Sequence, residues 1–243
     1  MKKIGIVGGM SPESTLEYYR IITTLCRQRG LGHRYPVIII YSLNFKEFFS
    51  LVESGNWSEV INLISEAINS LSLAGADFAL MASNTPHMVF NEVATKSSIP
   101  LLSIVEETGK VAKRLGFNRV GLFGTKFTMQ SDFYSNFLSA EYGISVVTPQ
   151  KGDQEYIHQK IMAELVNGCI VEETRKELSR IARMMSDKEG IEALILGCTE
   201  LPMILSEEVI GIPVLDTTRI HAEAALDYAQ SDSFQSSSIK IDN

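Results

Sequence analysis

The stretch GADFALMASNTPH, residues 75–87, resembles GIEALILGCTELP, residues 190–202, at an offset of 115 residues. Each reads as a short apolar strand that ends in small polar or nucleophilic side chains. Two further matches occur in the same order. IGIVGG from Ile4 resembles VGLFGT from Val120, and IPLLS from Ile99 resembles IPVLD from Ile212, at offsets of 116 and 113 residues. Short apolar strands resemble one another by chance, but three at a nearly constant offset indicate a duplicated unit. In that register Ser83 is the counterpart of Cys198, Asn84 of Thr199, and Thr85 of Glu200.

Strand-like runs at 4–7, 37–43, 77–83, 101–105, 119–124, 143–149, 193–198 and 213–217 alternate with helix-like periodicity at 12–29, 58–74, 106–116, 128–141, 153–167, 172–186 and 219–229. This alternation predicts an α/β protein with parallel sheets covered by helices. The duplication predicts two pseudo-symmetric domains, one of residues 1–102 with 212–230 and one of residues 103–211. A polar tail, 231–243, has too little apolar material to order its backbone. Ligands of open parallel sheets bind at the carboxyl ends of the strands. The site is therefore expected in the cleft between the domains, with Ser83 and Cys198 facing each other across one bound molecule.

Of 243 residues, 45% are hydrophobic, enough for real cores. The net charge of -7 is spread along the chain without a basic block, which argues against nucleic acid as a partner. The N-terminal apolar run is far too short for a signal peptide or membrane span, so a cytoplasmic location without membrane attachment is expected. Cys26, Cys169 and Cys198 are odd in number and lack metal-ligand spacing, so neither disulfides nor a zinc site is indicated. Cys26 and Cys169 read as small buried hydrophobes. Cys198 differs because it ends an apolar strand, where a side chain emerges at the sheet edge.

Moving a proton from one face of a carbon to the other requires an acid/base on each side, and two related strand ends supply that geometry. Cysteine suits the task, because its reference pKa of about 8.5 makes thiol and thiolate both accessible near neutral pH. The turn Gly8-Gly9-Met10-Ser11 offers backbone N–H groups to an anion such as a carboxylate. Its glycine spacing is wrong for a dinucleotide, and the second strand ends in Ser42-Leu43-Asn44 with no acidic residue for a ribose. Asn84, Thr85, Thr125 and Thr199 are candidate hydrogen-bonding groups, and Glu200 is a candidate partner for an ammonium group. Each is equally suited to capping a helix. His87 and His221 are read as structural hydrogen-bonders, and Asp216 as an N-cap or a support for the site edge. Lys46 and Lys126 are the cations placed to meet a side-chain carboxylate.

IGIVGGMSPEST, ASNTPH, FGTKFTM, LGCTELP and DTTRIHAEAA together resemble segments of the aspartate/glutamate racemase superfamily, over about residues 2–229. The resemblance implies a two-domain, pseudo-symmetric, Rossmann-like (flavodoxin-like) α/β fold. It also implies an isomerase, commonly a homodimer, that racemises aspartate, glutamate or a broader range of amino acids without pyridoxal phosphate, metal or other cofactor. The family pairs two catalytic cysteines. Cys198 matches the second, whereas Ser83 stands where the first is usual. Met10, Ser11, Asn84, Thr85, Thr125, Thr199 and Glu200 then read as substrate-binding. A serine hydroxyl without a base is a poor general base, so catalysis is expected to be asymmetric between the two faces. Two alternatives keep the fold: a single-cysteine isomerase or decarboxylase, and a non-catalytic amino-acid-binding relative.

Overall fold

The computed structural model describes residues 1–231. The tail expected over 231–243 lies outside them, except for Ser231. The strands are β1 (Ile4–Gly8), β2 (Ile38–Ser42), β3 (Phe78–Met81), β4 (Leu101–Leu102), β5 (Arg119–Gly124), β6 (Ser145–Val147), β7 (Ala193–Gly197) and β8 (Val214–Asp216). The helices are α1 (Pro12–Gln28), α2 (Phe45–Glu53), α3 (Trp57–Leu73), α4 (Phe90–Lys96), α5 (Ile104–Arg114), α6 (Lys126–Gln130), α7 (Phe133–Tyr142), α8 (Lys151–Ala163), α9 (Glu172–Glu189), α10 (Glu207–Ile210) and α11 (Thr217–Gln230). They flank two parallel four-stranded sheets, ordered β2-β1-β3-β4 and β6-β5-β7-β8. The protein is α/β, with two pseudo-symmetric sheets.

The repeat is visible in strand register. β1 meets β3 through Ile4 and Phe78, and β5 meets β7 through Val120 and Ala193. β3 meets β4 through Leu80 and Leu102, and β7 meets β8 through Ile195 and Leu215. Corresponding residues differ by 116, 115 and 113 positions, the offsets read in the sequence. The amino ends match as well. The Asp77 carboxylate accepts from Lys3 N–H at 2.6 Å, and its counterpart Glu192 accepts from Arg119 N–H at 3.0 Å, so each caps the start of the neighbouring strand. Glu192 also accepts from Asn118 N–H, and the bonds from Asn118 and Arg119 hold its carboxyl below its ordinary pKa.

The chain divides into two compact units. One comprises Met1–Ala82, Val89–Ser103 and the described residues from His221 onward; the other comprises Ser83–Met88 and Ile104–Ile220. In the first, Ile4, Ile6, Phe78 and Leu80 pack with Tyr18, Ile22 and Leu25 of α1 and Ala222, Ala225 and Leu226 of α11. In the second, strand alternation sends Phe123, Leu194 and Leu196 toward Ile157, Ile161, Leu178 and Ile181 of α8 and α9. Val120, Leu122, Ala193 and Ile195 pack instead with Ile104, Tyr134 and Leu138.

Local structure departs from the sequence reading in several places. Residues 45–53, which are not among the helices expected from the sequence, form α2: Asn44 Oδ1 accepts from the N–H groups of Lys46 and Glu47, and Phe48 and Val52 bury one face. α4 also went unread. The helix expected over 128–141 is two helices, broken where Ser131 is extended (ψ 158°). The strand expected over 101–105 stops at Leu102, because α5 already begins at Ile104.

Candidate active site

Cys198 follows β7, whose five residues are all buried, so the strand delivers the side chain to the sheet's carboxyl edge. The next residues turn into a 3₁₀ segment, Leu201–Met203, through Leu201 N–H to Cys198 O at 3.2 Å and Met203 N–H to Glu200 O at 3.1 Å. That turn brings the Glu200 carboxylate back onto the cysteine. Cys198 Sγ donates to Glu200 Oε2 at 2.9 Å, and Thr199 Oγ1 donates to the same oxygen at 2.7 Å. Glu200 is buried, and Cys198 keeps a partly exposed surface. Desolvation first, and the Glu200 carboxylate second, push the Cys198 thiol well above its ordinary pKa. The resting sulfur is therefore a protonated thiol that donates to a carboxylate.

Ser83 occupies the matching place after β3, and it too precedes a 3₁₀ segment, Thr85–Val89. Its carbonyl accepts from His87 Nδ1 at 2.9 Å, while His87 Nε2 accepts from Ile104 N–H at 3.1 Å. The two bonds specify the Nδ1–H tautomer and fasten the 83–88 loop to the start of α5. His87 is thus a clamp. Among the described residues nothing hydrogen-bonds the Ser83 hydroxyl, and the residue is half-buried.

Asn84 and Thr85 are tied into the second unit. Tyr134 O–H donates to Asn84 Oδ1 at 2.6 Å, and Asn84 Nδ2 donates to Thr217 Oγ1 at 3.1 Å. Thr217 in turn donates to Leu196 O at 2.8 Å, two residues before Cys198. Thr85 Oγ1 lies 3.4 Å from Thr125 Oγ1, which caps α6 by accepting from Thr128 N–H. Lys126 follows, half-buried, with its ammonium 5.2 Å from the centroid of the Phe127 ring. Cys198, Thr199, Glu200, Ser83, Asn84, Thr85 and Thr125 therefore all belong to the second compact unit.

The glycine turn belongs to the first unit, and internal bonds use much of its donor capacity. Gly9 N–H donates to Thr15 Oγ1 at 2.8 Å, and Ser11 N–H donates to Ser14 Oγ at 3.2 Å in the capping box that starts α1. Met10 and Ser11 are both buried. Gly9 has φ +82°, and a Cβ there would sit 2.2 Å from Leu43 O, so close backbone packing accounts for the glycine. Lys46 is exposed on α2 of the same unit.

His221 is a core group of the first unit, bridging Tyr18 O–H at 2.8 Å and Leu102 O at 3.1 Å, and burial lowers its pKa to about 4. Asp216 Oδ1 caps α11 by accepting from the N–H groups of Thr218 and Arg219, both at 3.1 Å. Cys26 is buried, but Cys169, expected to be buried, is exposed just before α9. Sequence reading missed Tyr134 and Thr217 as partners of Asn84. A buried tyrosine, obliged to find a partner for its hydroxyl, was the available signal for the first.

Among the described residues no group of three or more His, Cys, Asp or Glu is placed to hold a metal ion, and no helix is long and apolar enough to cross a membrane. The model of the family described as Asp/Glu/Hydantoin racemase matches residues 7–225. The chain is 28% identical over 235 residues to the broad specificity amino-acid racemase RacX of Bacillus subtilis, covering 92% of this chain and 96% of that one. The fold matches a Yersinia pestis protein proposed to be an Asp/Glu racemase, with TM-score 0.87, 38% identity and coverage of 94% and 99%. It also matches an aspartate racemase homologue from Pyrococcus horikoshii OT3, with TM-score 0.84, 37% identity and coverage of 95% and 100%. With two duplicated strand ends, a thiol on a carboxylate at one and a hydroxyl at the other, and a family match that takes in both, this chain belongs to the Asp/Glu/hydantoin racemase family.

Proposed function

We propose that this protein racemises amino acids without a cofactor, with Cys198 exchanging the α-proton on one face of the substrate and Ser83 serving the other. The carrying observation is the 2.9 Å contact between Cys198 Sγ and Glu200 Oε2. When Cys198 acts as base, Glu200 takes the thiol proton and the thiolate removes hydrogen from Cα. When it acts as acid, the thiol protonates the carbanion, and the thiolate left behind takes a proton from water through the exposed part of Cys198. Asn84, Thr85, Thr125 and Thr199 hold the substrate carboxylate by hydrogen bonds. Lys126 meets an acidic side chain, and the RacX relative supports a range extending beyond aspartate and glutamate.

The test is α-deuteration of a D/L amino-acid panel in D₂O, followed by mass spectrometry. Exchange is expected with at least one amino acid and is abolished by Cys198→Ala; no exchange with any of them ends the reading. The same reading places the chain in the cytoplasm, where its three free cysteines stay reduced, as a homodimer. Light scattering of the full chain tests the assembly.

One observation favours a second reading. The Ser83 hydroxyl has no hydrogen-bond partner among the described residues, whereas the Cys198 thiol sits on a carboxylate, so the site carries one thiol proton donor. A decarboxylation needs only that: loss of carbon dioxide leaves a carbanion that the Cys198 thiol protonates. Release of carbon dioxide from an arylmalonate, with no amino-acid exchange, favours this reading.

A further inference from the structure

The side chain of Asn84 is only 4% exposed, and it is held at both ends by groups from distant parts of the chain. Thr217 has spent its proton on Leu196 O, so toward Asn84 it is an acceptor and requires nitrogen there. At the other end the Tyr134 phenol donates at 2.6 Å and requires oxygen. Both partners agree, which fixes an amide orientation that its shape alone leaves ambiguous. One Nδ2 proton then remains without a partner among the described residues.

We propose that Tyr134 is a positioning residue, which acts through Asn84 by orienting its carboxamide so that the spare N–H meets the substrate carboxylate. The inference rests on the reading above. Tyr134, on α7, is fully buried, so it acts through Asn84 and not on a ligand directly. The Tyr134–Asn84–Thr217–Leu196 chain also ties the loop that carries Ser83 to the strand that leads into Cys198. A hydrogen bond to the carboxylate is present in ground state and transition state alike, so losing its geometry raises KM rather than lowering kcat.

The experiment measures α-deuteration kinetics of wild type, Tyr134→Phe, Asn84→Ala and the double variant. Tyr134→Phe is expected to raise KM about tenfold, the usual weight of a hydrogen bond to a charged group, with kcat changed less than about threefold. In the Asn84→Ala background the same substitution is expected to change KM less than about twofold, because the group it orients is gone. An unchanged KM in Tyr134→Phe, or an equal effect in both backgrounds, overturns the inference. Should Tyr134→Phe fail to fold, Thr217→Val removes the other hold on the amide and must give a KM rise that also vanishes without Asn84. A wild type that deuterates no amino acid ends the parent reading and this inference with it. An active wild type with an unaffected KM ends the inference alone.

Discussion

Glu200 Oε2 is shared by Cys198 Sγ at 2.9 Å and Thr199 Oγ1 at 2.7 Å, so one buried carboxylate oxygen takes the protons of both neighbours. The arrangement keeps the thiol protonated and gives its proton a destination. Glu200→Gln removes the negative charge and the base that can take up a proton, while preserving the shape. The thiol pKa then falls, because the carboxylate was among the causes raising it, and the midpoint of the alkylation rate against pH moves to lower pH. Activity falls as well, by roughly 10² to 10⁴, because the proton acceptor is lost. A lower midpoint with undiminished exchange contradicts the proton-relay role.

The inequality of Ser83 and Cys198 has a thermodynamically constrained signature. Two enantiomers are equal in free energy, so kcat/KM for net racemisation is the same in both directions whatever the two side chains are. The asymmetry must appear elsewhere. An enantiomer whose α-hydrogen faces Cys198 exchanges it for deuterium and recovers its configuration from the same side. Exchange with retention is therefore expected to outrun inversion for one enantiomer only. Ser83→Cys supplies a second thiol and is expected to raise inversion by about 10² or more. Equal retention for both enantiomers, or no gain in a folded Ser83→Cys variant, counts against the pairing.

The duplication was readable because it lives in contiguous apolar runs. A register such as Ile4 to Phe78 and Val120 to Ala193 follows directly from aligned strand ends. Phe45–Glu53 was not readable as a helix, since its cap is a single Asn44 and its buried positions are only Phe48 and Val52. At the site, strand logic placed Ser83 and Cys198 at equivalent ends. It did not show which way Glu200 turns: a residue two positions from a thiol is as free to meet an ammonium group as the sulfur. Tyr134 and Thr217 reach Asn84 across 50 and 133 positions of sequence, separations at which no local pattern carries information.

Burial of His221 makes stability depend on pH. Its pKa is about 4 in the folded chain against 6.5 for the free side chain. Between those values the unfolded state binds the extra proton, so stability rises with pH and is lost as pH falls from 6.5 toward 4. The loss reaches about 3 kcal/mol by pH 4. His221→Gln keeps polar atoms for Tyr18 and Leu102 but does not titrate. Urea unfolding at pH 7 and pH 4.5 is expected to show a smaller pH-dependent difference in the variant, and an identical difference rules out His221 as its source.

Gly9 and Gly30 share a positive φ, +82° and +66°, but not the same surroundings. A Cβ at Gly30 meets nothing within 4 Å, whereas one at Gly9 falls 2.2 Å from Leu43 O and 2.6 Å from Leu43 N. Gly30→Ala therefore incurs backbone strain alone, about 1 kcal/mol. Gly9→Ala adds a collision with backbone that can yield only by separating the turn after β1 from the chain that enters α2. A loss above about 3 kcal/mol is expected, read as the difference in urea midpoints between the two variants. Similar losses at both positions mean that the turn relaxes freely, and steric packing then no longer explains the glycine at position 9.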